Sequence, residues 1–261
     1  MVRPERDRLD SNVRNVFTKS SKGYDAYTKH SINLKKETGS WKKLYGDVLG
    51  ASSGKLLNVG CGPGTEAIVV AEMGFDVTAV DFSPEMVRLT LENSDLCGVH
   101  IDAIEGDAEN LPFPDCSFDF IISNYMLWAV PNPDKAMAEW MRVLRPGGKV
   151  AFVDGIWSTA DYSWMRKRWV RIAQRLRHKD GNSHRDDEPM TVDEKAAMRS
   201  LWSVGADRPA ADLRMIADAG FEQISIINKV DRRIFSGMRY VEYGYHKVHY
   251  MITAVKPGTS A

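Results

Sequence analysis

Apolar residues recur in two rhythms along this chain, and the change between them divides it. From Val13 to His30 the positions Val13, Val16, Phe17, Tyr24 and Tyr27 fall at helical intervals. Ser20, Ser21 and Gly23 interrupt them, so the pattern predicts two short helices. Residues 1–10 are so charged that no packed element is expected there. Leu34 to Leu49 reads as a further helix, with Trp41, Leu44, Tyr45 and Val48 on one face, and Ala51-Ser52-Ser53-Gly54 ends it.

From Lys55 the rhythm alternates between strand and helix. Leu56–Val59 is a short buried strand, Glu66–Met73 a helix, and Asp76–Val80 a strand ending at Asp81. Ser83-Pro84-Glu85 carries the capping residue and first-turn proline of a helix that runs to Asp95. Val99–Ile104 and Phe118–Ser123 read as strands, Asp134–Leu144 as a helix closed by Arg145-Pro146-Gly147-Gly148, and Lys149–Val153 as a strand. Such alternation with short connections implies an α/β fold: a parallel sheet with helices on both faces and ligands at the carboxyl ends of the strands. Regularity lapses from Gly155 to Asp207, too long for an ordinary connection, and a helical cap is expected there. A helix, Ala210–Ala219, and two strands, Phe221–Ile227 and His246–Val255, follow. The chain thus divides into N-terminal lid helices (1–50), a cofactor-binding core (51–155), a cap insertion (156–207) and a C-terminal part of the core sheet (208–261).

The first strand runs into Gly60-Cys61-Gly62-Pro63-Gly64-Thr65. Glycine at every second position lets the turn take positive φ angles and lets a ligand lie against bare backbone. The helix that follows points free N–H groups at the same place, which favours an anionic or strongly polar group. Asp81, roughly twenty residues on at the end of the second strand, is placed to accept hydrogen bonds from both hydroxyls of a ribose. Gly106-Asp107-Ala108-Glu109, LPFPDCSFDFIIS and LRPGGKV then follow in order. A dinucleotide enzyme is the rival for the turn, but its fingerprint needs glycine where this chain has Thr65.

This ordered set resembles the class I S-adenosylmethionine-dependent methyltransferases, in particular the small-molecule branch with the menaquinone and ubiquinone methyltransferases, over residues 13–155. The resemblance implies a Rossmann-like, seven-stranded, mostly parallel sheet whose last strand is antiparallel, and S-adenosylmethionine as methyl donor. It implies that Gly60, Cys61, Gly62 and Gly64 pass the aminoacyl end of the donor and that Asp81 holds the ribose. Phe82 and Met86 would pack near the adenine, Asp107 and Ala108 read its edge, and Asn124 lie near the methionine part. The pattern Phe17-x-x-x-Ser21-x-x-Tyr24-Asp25 looks like the aromatic lid of this branch. Asn58 departs from the pattern: many relatives carry an acidic residue there, and a charge near the donor's ammonium is lost.

Composition narrows the partners. Lys plus Arg equal Asp plus Glu at 35 each in 261 residues, so no global charge points to nucleic acid or membrane. Cys61, Cys97 and Cys116 lack CxxC spacing, which argues against a disulfide framework and a metal site. No run of about eighteen apolar residues occurs, so a cytoplasmic protein without membrane insertion is expected. The acceptor is expected to be a small molecule, since Asn124 is followed by Tyr125-Met126-Leu127 rather than by the Pro-Pro of nitrogen-methylating enzymes on macromolecules. A homodimer is compatible with the sequence.

A sulfonium methyl needs alignment and exclusion of water more than it needs activation. Tyr24, Tyr27 and Trp128 are candidates to face the cation. Tyr27 and Trp128, with Trp157 and Trp164 from the cap, are candidates to line the acceptor pocket. No base stands out. His178 and His184 are candidates against a reading as solvated histidines, and Asp186-Asp187-Glu188 reads as a solvated acidic turn. Trp164–Lys179 reads as a cap helix with a basic outer face; an RNA methyltransferase gripping RNA through that face is an alternative, as is a non-catalytic S-adenosylmethionine-binding regulator. The aromatics from Tyr240 to Tyr250 fit an acceptor pocket or a strand pair equally well.

Overall fold

The computed structural model describes residues 3–33, 35–156, 189–241 and 248–258. It opens with helices α1 (Arg3–Lys19), α2 (Ser21–Ile32) and α3 (Lys35–Leu49). The break expected within Val13–His30 falls at Ser20. The charged start is not loose, as read from sequence, but the first part of α1. Arg8 Nη2 lies 2.6 Å from Asp193 Oδ2, and at the other end of the helix Lys19 Nζ lies 2.9 Å from the buried Glu194 Oε1. Both acidic residues belong to helix α7 (Val192–Ser200), which starts with a capping box between Thr191 and Glu194.

The sheet contains β1 (Lys55–Val59), β2 (Asp76–Asp81), β3 (Asp102–Glu105), β4 (Phe118–Asn124), β5 (Leu144–Ile156), β6 (Glu222–Asn228) and β7 (Val248–Val255). Their order is β3-β2-β1-β4-β5-β7-β6, with β7 antiparallel to both its neighbours. This is the seven-stranded arrangement expected. The chain winds outward from β1 to β3 and then returns to place β4 on the other side of β1, so the order reverses between β1 and β4, where such sheets bind ligands. Helices α4 (Thr65–Ala71), α5 (Pro84–Cys97), α6 (Pro133–Val143) and α8 (Ala210–Asp218) complete the layers. One apolar cluster joins α3 and α4 to the sheet through Tyr45, Ile68 and Met251; a second joins α6 and α8 through Trp140, Ile216 and Phe152; a third, smaller one joins α1 and α7 through Val13, Ala197 and Leu201.

Two strand starts and one cap contact differ from expectation. Gly98 ends α5 in a left-handed turn and Val99 N–H still bonds Ser94 O, so β3 starts only at Asp102, where pairing with Thr78 begins. Leu144 already pairs with Phe118, so β5 starts before the Pro-Gly-Gly segment, which Lys256 N–H ties down at Gly148 O. Ser83 occupies the first cap position of α5, yet its hydroxyl meets Thr18 Oγ1 at 3.0 Å instead of capping the helix. Of the expected cap, residues 157–188 lie outside the described residues, with Trp157, Trp164, His178, His184, the acidic turn and the basic helix. No helix among the described residues is long and apolar enough to cross a membrane.

Candidate cofactor and acceptor site

A cavity of about 370 Å³ lies at the carboxyl ends of β1, β2 and β4. Its floor is the glycine turn. Gly60 and Cys61 donate their N–H groups to Val80 O at 2.8 and 3.1 Å, fixing the turn to β2. Gly60 has φ 69°, and a Cβ there would lie 2.3 Å from Met126 Cγ, so only glycine fits the close approach. Gly62 and Cys61 also line the cavity; Gly64 does not, facing Thr90 on α5 at the head of α4.

Asp81 ends β2 on the same wall. Its Oδ2 accepts from Gly62 N–H and its Oδ1 from Ser83 N–H, each at 2.9 Å. Each oxygen retains a lone pair for a further donor, and two ribose hydroxyls match that capacity. Burial pushes the carboxyl up to about 6, against the lowering effect of the two N–H groups and of Arg14. A site that raises a carboxyl in this way gains from ligand donors that favour the charged form. Met86, Phe82, Asp107 and Ala108 line the same end, and Asp107 Oδ1 accepts from Glu109 N–H at 2.8 Å.

The roof comes from the N-terminal helices. Phe17 on α1 has ring centroids 5.9 Å from Phe82, 6.0 Å from Trp128 and 6.3 Å from Tyr24. Helix α2 is held down by Thr28 Oγ1, 2.6 Å from Thr65 Oγ1, and by Asp25, which accepts from Asn93 Nδ2 at 3.0 Å. Tyr24 is exposed at the rim, whereas Tyr27 lines the interior. Burial, followed by the Glu37 charge, raises the Tyr27 phenol above its ordinary range.

Asn124 lines the middle of the cavity. Its Nδ2 donates to Tyr45 Oη at 2.9 Å, while its buried Oδ1 has no partner among the described residues, an acceptor suited to an ammonium. Asn58 lies off the cavity wall, where its Nδ2 donates to Ile122 O at 3.3 Å. The carboxyl that does line this region is Glu66, in the first turn of α4; it hydrogen-bonds Asn124, and burial raises its pKa. Sequence reasoning passed over Glu66, although its place two residues after Gly64 was a usable signal. It also passed over Tyr125; His249 falls within the Tyr240–Tyr250 run read above as fitting an acceptor pocket, and both residues line the cavity. His249 Nδ1, on β7, lies 2.6 Å from Oδ1 of Asp231, which follows β6, a pairing that no local pattern announces.

Fold and site together define an α/β crevice at the switch point between β1 and β4. Residues 57–152 match a family described as the methyltransferase domain, so the resemblance to class I methyltransferases holds over the segment that carries the glycine turn and Asp81. Over 155 residues, 59% of this chain, it is 36% identical to the demethylmenaquinone methyltransferase of Renibacterium salmoninarum and 32% identical to that of Paenarthrobacter aurescens. These alignments span 63% and 59% of the relatives' own lengths, less than two thirds. Among solved structures, a SAM-dependent methyltransferase from Aquifex aeolicus matches with TM-score 0.56 at 17% identity, covering 90% of this chain and 97% of that one. The [4+2]-cyclase SpnF matches with TM-score 0.55 at 20% identity, covering 83% and 80%. The architecture is therefore shared beyond methyl transfer, and activity has to be argued from the site.

Proposed function

We propose that this protein transfers a methyl group from S-adenosylmethionine to a small, partly apolar acceptor. The observation that carries the reading is Asp81: a buried carboxylate bonded to the backbone of the glycine turn, at one end of a largely apolar cavity. In this reading Gly60, Cys61 and Gly62 lie against the amino-acid end of the donor, and Asn124 and Glu66 receive its ammonium. Asp81 takes the ribose hydroxyls, and Phe82, Met86, Asp107 and Ala108 enclose the adenine. The donor, when bound, supplies an electrophilic methyl carbon on a positively charged sulfur. The chain's own work is to orient the acceptor, to face the cation with Tyr24, Tyr27 and Trp128, and to exclude water with the Phe17 cluster.

Residues 1–50 act here as a lid, 156–207 as a cap, and 51–155 with 208–261 as the core. The relatives' printed names support an apolar ring compound as the acceptor class, and no nucleic acid takes part. The cytoplasm is the place of reaction in this reading. Assembly as a homodimer would add no residue to it. Calorimetry with S-adenosylhomocysteine tests the claim. Wild-type protein binds, and Asp81→Ala binds at least about tenfold more weakly, since two hydrogen bonds to a charged group are lost; equal affinities would count against the assignment.

A further inference from the structure

Trp128 reaches the cavity from a short helical turn, Leu127–Ala129, that follows β4. The main chain of this turn is fastened by side chains from β5 and from the segment after α7, none of which lines the cavity. Trp128 N–H donates to Asp154 Oδ2 at 3.0 Å, and Trp128 O accepts from the Ser203 hydroxyl at 2.7 Å. The Trp202 indole N–H donates to Leu127 O at 3.1 Å. Within the loop, the Trp128 indole N–H donates to Tyr125 O at 2.8 Å, which fixes the ring against its own chain. Every main-chain polar group of Trp128 thus has its partner inside the protein.

Asp154 is the centre of the arrangement. Its side chain is 0% exposed, as is that of Asp212, and Arg208 between them is 2% exposed. Arg208 Nη2 lies 2.9 Å from Asp154 Oδ2 and 2.6 Å from Asp212 Oδ1. Two carboxylates therefore face one guanidinium, and neutral donors complete their hydrogen bonds. Gly155 N–H donates to Asp154 Oδ1 and the Tyr250 hydroxyl to Asp212 Oδ2, each at 2.8 Å, and Trp128 N–H is the third. A hydrogen bond to a carboxylate shielded from water is strong, and leaving either partner unmade is costly, so the cluster and the turn hold each other. On its other side the indole meets the lid, with its ring centroid 6.0 Å from that of Phe17, edge to face.

We propose that Asp154 and Ser203 are positioning residues for methyl transfer: they hold Trp128 where its indole faces the sulfonium of the donor, and Arg208 holds Asp154 in turn. This rests on the methyl-transfer reading above and assigns the site's preference for a cationic sulfur to a cluster that lies outside the cavity. An aromatic face attracts a cation within about 6 Å of its centroid. A small drift of the turn is therefore enough to lose the contact.

Calorimetry with S-adenosylmethionine and S-adenosylhomocysteine isolates the effect, since the two ligands differ only in the methyl group that gives the sulfur its charge. Trp128→Leu lowers the preference for S-adenosylmethionine by about 2- to 30-fold, the usual worth of a cation–π contact. Asp154→Asn lowers it too, and Ser203→Ala, which leaves the buried charges in place, does so by a smaller factor. In the Trp128→Leu background neither change moves the ratio further. A merely structural role would weaken both ligands alike and leave the ratio as it is. If Asp154→Asn fails to fold, Ser203→Ala carries the test. In protein labelled with 5-fluorotryptophan, the Trp128 resonance, assigned by its loss in Trp128→Leu, shifts in Ser203→Ala without any ligand. A preference unchanged in Ser203→Ala or in Trp128→Leu, or one that falls equally in both backgrounds, overturns the positioning assignment while leaving methyl transfer intact. If wild-type protein binds neither ligand, the methyl-transfer reading fails and the positioning assignment with it.

Discussion

Lowering the pH stabilises the unliganded protein through Asp81, and the size of the effect follows from its surroundings. Burial raises this carboxyl from 3.8 to about 6 in the folded state. A carboxyl whose folded pKa lies above its unfolded one binds protons more readily when folded. Its contribution to stability is therefore fully present below about pH 3.8 and is lost as the pH rises through about 6. The full span corresponds to about 3 kcal/mol, and about 1 kcal/mol of it falls between roughly pH 5 and pH 7.5. Asp81→Asn removes the titrating group, though its amide can no longer accept from both Gly62 and Ser83 N–H. Urea unfolding of both proteins across this range isolates the effect, because every other carboxyl contributes equally to the two curves. Relative to the variant, the wild-type protein loses about 1 kcal/mol as the pH rises. Parallel curves would refute the claim that this site holds its carboxyl at the edge of neutrality. Ligand donors at Asp81 favour the charged form, so S-adenosylhomocysteine binding near pH 6 releases a proton; a binding enthalpy that does not vary with buffer ionisation would contradict this.

Gly60→Ala forces a Cβ to within 2.3 Å of Met126 Cγ at φ 69°. It is expected to cost about 1–3 kcal/mol in chemical denaturation and to weaken S-adenosylhomocysteine binding. Arg208 is buried, with Nη2 at 2.9 Å from Asp154 Oδ2 and 2.6 Å from Asp212 Oδ1. Arg208→Met leaves both carboxylates without their cation and is expected to lower stability by about 3–5 kcal/mol. Since Asp154 Oδ2 also accepts from Trp128 N–H at 3.0 Å, near-ultraviolet circular dichroism from tryptophan should change in the same variant.

What could be read from the sequence was whatever depends on neighbours along the chain. The alternation of buried strands and amphipathic helices from Leu56 to Val153 sets the layers, and the strand–glycine–helix step at Val59 to Thr65 sets one wall of the cavity. Asp81 was legible because the end of the strand after the turn is a fixed place in such a fold. The charged start of α1 was not, because Arg8 finds its partner in Asp193, 185 residues away. The start of β3 was misjudged because Val99 and Ile101 look like strand residues, whereas the left-handed turn at Gly98 delays pairing until Asp102. Asn58 was assigned to the donor from its place in the motif; it lies off the cavity wall with its Nδ2 bonded to the β4 backbone, while Glu66 is a carboxyl that lines the cavity. His249 falls in the run that fits an acceptor pocket, but its contact with Asp231 forms only when β6 and β7 pair, and the space for the ring depends on a glycine in a third strand, so nothing local marks the pair.

A crystal structure with S-adenosylhomocysteine bound tests the central claim most directly. The account predicts both ribose oxygens within hydrogen-bonding distance of the Asp81 carboxylate, the amino-acid end against Gly60 and Gly62, and the sulfur facing the part of the cavity that Trp128 lines. A nucleoside seated anywhere else, or a crevice closed by protein side chains, would contradict it.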